Sequence, residues 1–111
     1  MKRTIVVLAG AAVLVAALPA AAATPTLKGV VGPGFTISIS PKPKKAGTYK
    51  LVVQDKSNIH NFRLMGPGVN VATSVPKLGT SAFTVKLKPG LYRFLCDPNP
   101  TVMKGSFRVT A

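Results

Sequence analysis

LYRFLCDPNPTVMKGSFRV, residues 91–109, alternates apolar and polar side chains on both sides of a proline-rich break. Tyr92, Phe94 and Cys96 share one face with a period of two, and beyond the break Phe107 and Val109 alternate with Ser106, Arg108 and Thr110. The pattern predicts two strands joined by a loop at one end of a sheet. That loop holds the chain's only cysteine. Cys96, Asn99 and Met103 are spaced C-x2-N-x3-M, and the only histidine, His60, lies 36 residues upstream at the edge of another apolar run. A thiolate, an imidazole and a thioether would meet if those runs pack together, which makes a soft-metal site the first chemistry to test.

Outward from this stretch the same period recurs. Ser81 to Lys88 places Phe83, Val85 and Leu87 on one face and Thr84, Lys86 and Lys88 on the other. Pro89-Gly90 then matches a type II turn, proline presetting the first central φ and glycine allowing a positive second one. Further upstream, Ile59 to Met65 reads as a strand with His60 at its start and Phe62 and Leu64 on a shared face. Tyr49, Leu51 and Val53 alternate with Lys50 and Gln54, and Phe35, Ile37 and Ile39 alternate with Thr36, Ser38 and Ser40. Leu27 to Val31 is a plausible first strand. Between these runs, Pro41 to Gly47 is a basic loop, Asp55 to Asn58 is turn chemistry, and Val69 to Gly79 has no convincing period, so it reads as a long connection that crosses the barrel mouth or carries a short turn. Six or seven short strands divided by Gly and Pro turns predict an all-β antiparallel Greek-key sandwich or flattened barrel. An immunoglobulin-type sandwich fits less well, because the chain has no second cysteine and no tryptophan.

The start of the chain reads differently. Lys2 and Arg3 precede an unbroken apolar run from Ile5 to Leu18, and Pro19 leads into Ala20 to Ala23. This is the pattern of a secretory signal peptide over residues 1–23, leaving one domain at 24–111. A retained membrane anchor is the competing reading, since the apolar run approaches the ~20 residues a spanning helix needs. Beyond the signal, thirteen Lys and Arg face only Asp55 and Asp97, a formal charge of +11. Such a field attracts polyanions. Export and the scattered placement of the cations argue against nucleic acid, leaving an acidic redox partner protein, anionic lipid or an anionic cell-surface polymer. Two carboxylates and one histidine supply neither an acid/base pair nor a Ser/His/Asp set, so the sequence does not read as an enzyme.

The runs NIHNFRLMGPGV and KPGLYRFLCDPNPTVMKGSFRVT resemble the cupredoxins, most closely the small secreted plastocyanin/azurin-like blue-copper domains whose last loop reads Cys-Asp-Pro-His, a few residues, then Met-Lys-Gly. The resemblance covers nearly all of residues 24–111. It implies a cupredoxin β-sandwich, a mononuclear Cu(I)/Cu(II) site and electron transfer, with His60 as the upstream imidazole ligand, Cys96 as the thiolate and Met103 as the weak axial thioether. It also implies that Asn61 ties the histidine segment to the cysteine loop from outside the ligand set. The family's second ligand histidine is Asn99 here. Three outcomes are open at this point. Copper is held by His60, Cys96 and Met103, with Asn99 or water completing the site; or the site is degenerate and the fold serves as a metal-free basic binding or adhesion module; or the vacant corner admits exogenous ligands.

Overall fold

The computed structural model describes residues 23–111; the predicted signal segment, apart from Ala23, lies outside the described residues. Eight strands form, β1 (Thr26–Val31), β2 (Ile37–Ser40), β3 (Gly47–Asp55), β4 (Arg63–Gly66), β5 (Val69–Ala72), β6 (Gly79–Leu87), β7 (Gly90–Leu95) and β8 (Lys104–Val109). They build two four-stranded sheets, ordered β2-β1-β3-β6 and β5-β4-β7-β8. The result is an all-β sandwich, with no helix among the described residues. The inward residues of each alternating run meet between the sheets: Leu27, Leu51, Val53, Val85 and Leu87 from one, Leu64, Tyr92, Phe94, Phe107 and Val109 from the other. Full burial of such side chains stabilises by roughly 1.5–3 kcal/mol each, so this face carries the fold.

Several elements differ from the sequence reading. Pairing is not wholly antiparallel, because β1 and β3 run parallel, with Leu27 opposite Leu51 and Gly29 opposite Val53. The chain reaches that position by running β2 back along one side of β1 and then carrying residues 41–46 over to the other. This basic loop is laced to the end of β8 by hydrogen bonds from Ala46 N–H to the Thr110 carbonyl (2.9 Å) and from Thr110 N–H to the Lys44 carbonyl (2.8 Å). Val69 to Gly79 is not one long connection, since Val69–Ala72 forms β5 and pairs with β4 across a tight Pro67-Gly68 turn. Gly68 takes a φ of 72°, which only glycine adopts readily. Gly90 has the expected positive φ, but at 144° it already belongs to β7 opposite Val109, instead of the φ near ~80° of a type II turn. The Tyr92 hydroxyl anchors that corner by accepting the Lys88 N–H at 2.9 Å and donating to the Pro67 carbonyl at 2.7 Å.

Two glycines make room for the core aromatics. A Cβ on Gly66 would run into the Tyr92 ring, and one on Gly105 would run into Phe94, its direct cross-strand partner. Rings laid over these gaps form a ladder, Tyr92 on Phe107 at 5.5 Å, Phe107 near Phe94 at 6.5 Å and Phe94 on Phe62 at 5.9 Å between centroids. The last two rungs are Phe94, two residues before Cys96, and Phe62, two residues beyond His60. Core packing thus fixes both segments that carry the candidate donors.

Candidate metal centre

His60 sits in the crossover between β3 and β4, not in a strand. Side chains divert the backbone there: the Asp55 carboxylate accepts the Ser57 N–H at 2.9 Å, and the Ser57 hydroxyl accepts the Ile59 N–H at 3.2 Å. Such local bonds compete with sheet pairing. Ile59 consequently faces solvent, while His60 is fully enclosed. Phe62 then rejoins the fold by exchanging bonds with Thr73, its N–H donating to the hydroxyl at 3.0 Å and its carbonyl accepting the Thr73 N–H at 2.9 Å.

The second segment is the loop from Cys96 to Met103. Its ends are pinned by Cys96 N–H donating to the Met103 carbonyl at 3.1 Å. Asn99 is held in the middle, donating its N–H to the Cys96 carbonyl at 3.0 Å and accepting the Met103 N–H at 2.9 Å. Pro98 and Pro100 flank it and limit the backbone further. Cys96 and Met103 are both buried side chains.

These two segments converge. His60 Nδ1 stands 3.7 Å from Cys96 Sγ. The Asn99 amide nitrogen lies 3.3 Å from His60 Nδ1 and 3.7 Å from Cys96 Sγ. A hydrogen bond from the amide to Nδ1 requires the imidazole tautomer that carries its proton on Nε2. Nε2 is buried without a hydrogen-bond partner. Phe35, expected to point into the core, is instead 59% exposed and lies edge-on over the His60 ring at 4.9 Å.

Outside the converging atoms, a clamp joins the segments. Asn61 accepts the Asp97 N–H at 2.7 Å and donates to Asp97 Oδ2 at 2.8 Å and to the Thr73 carbonyl at 3.0 Å. Arg63 grips the same carboxylate with Nε to Oδ1 at 2.7 Å and Nη2 to Oδ2 at 2.9 Å, and reaches Asn70 Oδ1 at 2.6 Å. The sequence reading singled out Asn61 but missed Arg63 and Asn70. No local signal marks them, because Arg63 and Asp97 meet only through the pairing of β4 with β7.

The guanidinium beside Asp97 holds its carboxyl below the ordinary carboxylate range, with a smaller contribution from Asn61. A depressed folded pKa adds stability above the unfolded value near ~3.9, and that stability is lost as pH falls through the folded value. Burial pushes Asp55 the other way, so its contribution is full below ~3.9 and is lost as pH rises through its raised folded value. Replacing Arg63 with Met removes the cause of the Asp97 shift. Because Arg63 and Asp97 are 29% and 37% exposed, solvent screening keeps the expected loss at neutral pH under about 1 kcal/mol. Urea unfolding at neutral and acid pH should show the gap between the two narrowing in Arg63→Met; an unchanged gap would show that the pair does not set the acid limb.

The donor chemistry fits a soft metal. Donors about 2.0–2.1 Å (nitrogen) and about 2.3 Å (sulfur) from one ion, subtending roughly 115°, lie about 3.7 Å apart. That matches the 3.7 Å between Nδ1 and Sγ. Among the described residues no three His, Cys, Asp or Glu side chains converge; the amide of Asn99 stands beside the His60 and Cys96 pair, Met103 is buried at the other end of the same loop, and this donor set disfavours a hard, oxygen-bound cation. A depression of about 620 Å³ lies on the outer face of β7 and β8 beside Arg93 and Lys104, and none of these candidate donors lines it.

No protein-family model and no curated protein matches the chain. Solved structures do. Reduced rusticyanin aligns over 82% of each chain with a TM-score of 0.62 and 20% identity. Sodium-dithionite-reduced auracyanin from the photosynthetic bacterium Roseiflexus castenholzii aligns over 82% of this chain and all of its own, with a TM-score of 0.55 and 18% identity. Another rusticyanin structure, described as that of a copper protein, gives 0.61 at 19% identity. The chain therefore shares the two-sheet β-sandwich fold of rusticyanin and auracyanin.

Proposed function

We propose that this chain is an exported copper protein of cupredoxin fold that holds one copper ion through His60, Cys96 and Met103, with Asn99 at the fourth corner. The observation that carries this reading is the buried approach of His60 Nδ1 to Cys96 Sγ at 3.7 Å. Bound copper supplies a one-electron couple between Cu(I) and Cu(II). The protein residues would supply the setting: Cys96 as thiolate, His60 through Nδ1, and Met103 as a soft thioether. One imidazole with two sulfur donors and no second imidazole favours Cu(I). The site serves electron transfer or copper handling. Among the described residues no helix is long and apolar enough to cross a membrane, and export rests on residues 1–23, whose loss from the mature protein intact-mass measurement should detect.

Anaerobic titration of the exported protein is expected to give one tightly bound Cu(I). Cys96→Ser should weaken binding by well over an order of magnitude, as loss of a primary donor exceeds the 10–100-fold typical of outer partners. A folded protein that takes up no copper would leave the metal-free basic module as the better reading.

The partner class follows from charge. The only ion pair among the described residues is Arg63 with Asp97, and the other carboxylate, Asp55, is buried. The remaining cations are thus available to an acidic redox partner or anionic cell-surface polymer. Association should weaken steeply as the Debye length shrinks from ~10 Å at 0.1 M salt to ~3 Å at 1 M; indifference to salt would point to an apolar contact.

A further inference from the structure

We infer that the Asn99 side chain is a displaceable plug, and that the copper site accepts at this corner an imidazole donor supplied by another molecule. The inference rests on the copper reading above and goes beyond it by assigning the fourth corner to an external ligand. His60 and Cys96 are fully buried and Met103 is nearly so. Asn99 is the partly exposed member of the set, between exposed Pro98 and Pro100. It is the one of these four side chains that meets both solvent and the converging donors.

Its backbone and side chain are held very differently. The main chain is fixed by the bonds to Cys96 and Met103, at 3.0 and 2.9 Å. The amide reaches into the site through two longer contacts, 3.3 Å to nitrogen and 3.7 Å to sulfur. Rotation about its side-chain bonds therefore releases the amide without moving the loop. In place, the amide nitrogen stands against the two atoms that a metal would need, and by donating to the sulfur it competes with metal for that lone pair. Turned over, it offers a neutral oxygen, a hard and weak donor beside a thiolate. An imidazole entering from solvent supplies the borderline nitrogen that suits both copper states, and a neutral ring adds no charge to the enclosed site. The apparent affinity for it is lowered by the fraction of time the plug is closed.

The test uses the exported protein. Copper is loaded first and its stoichiometry measured, then free imidazole, and separately a short peptide with one histidine, is titrated into wild type, Asn99→Ala and Asn99→His. Binding is followed by the thiolate-to-copper absorption with Cu(II) and by the ring-proton NMR signals of the added imidazole with Cu(I), with the side-chain amide signal of Asn99 reporting plug release in wild type. The expected result is saturable binding with copper retained in wild type, about tenfold tighter in Asn99→Ala because no plug competes, and none in Asn99→His. Response to imidazole but not to the peptide would confine the corner to small free ligands; response to both would admit a partner's histidine. Copper held with no response in wild type or Asn99→Ala, or equal affinity in the two, overturns the plug while leaving the copper reading intact. Failure to bind copper at the first step overturns both.

Discussion

Asn99→His should turn the Cu(II)-loaded protein intensely coloured, where wild type gives a weaker or altered band or takes only Cu(I). The colour of such sites comes from charge transfer between a thiolate and Cu(II), which needs strong equatorial nitrogen donors beside the sulfur. Position 99 is already aimed correctly: its side-chain nitrogen stands 3.3 Å from His60 Nδ1 and 3.7 Å from Cys96 Sγ. Its backbone bonds to Cys96 and Met103 do not involve the side chain, so the loop should survive the exchange. Cys96→Ser should abolish the band in either background. Met103→Leu should shift the reduction potential and affinity more than it removes binding, because the axial thioether bond is long and weak. A folded, colourless Asn99→His protein in the presence of Cu(II) would show that the pocket does not hold copper in this geometry.

The largest loss of stability from a single methyl group is expected at Gly66. Its Cβ would enter the Tyr92 ring, and that ring has nowhere to go. It is fully buried, stacks on Phe107 at 5.5 Å and is fixed by hydroxyl bonds to Lys88 and Pro67. Gly66→Ala should cost about 2–4 kcal/mol, at the upper end of overpacking because two buried hydrogen bonds are strained with the ring. Gly34→Ala is the control, since a Cβ there meets nothing within 4 Å, and a surface change of this kind stays within about 0.5 kcal/mol. Chemical denaturation reads both. A Gly66→Ala midpoint close to that of Gly34→Ala would mean that the ring is freer than its contacts imply.

The strands from Gly79 to Val109 were legible in the sequence because each is long enough to show a period of two, and Tyr92, Phe94, Phe107 and Val109 are buried on the expected face. Four residues after a tight turn are too few to show it, which hid β5. Ile59 to Phe62 was misread as strand because apolar content masked the Asp55 and Ser57 bonds that bend the chain. Parallel pairing of β1 with β3 leaves no trace in local periodicity, and the outward turn of Phe35 depends on the His60 ring it covers. For the site, spacing and residue type picked out His60, Cys96, Asn99 and Met103. The approach of His60 to Cys96, and the grip of Arg63 on Asp97, depend on residues more than thirty positions apart and emerge only from the packed sheets.

The Asn61, Asp97 and Arg63 clamp separates architecture from chemistry. In a zinc finger the ion itself holds the fold, and a chelator unfolds the protein. Here the histidine and cysteine segments are joined by side-chain bonds that no metal takes part in. A chelator should empty such a centre and leave the sandwich standing, ready to reload. A frame that stands without its cargo should also tolerate exchange at residue 99, leaving the scaffold around the centre in place.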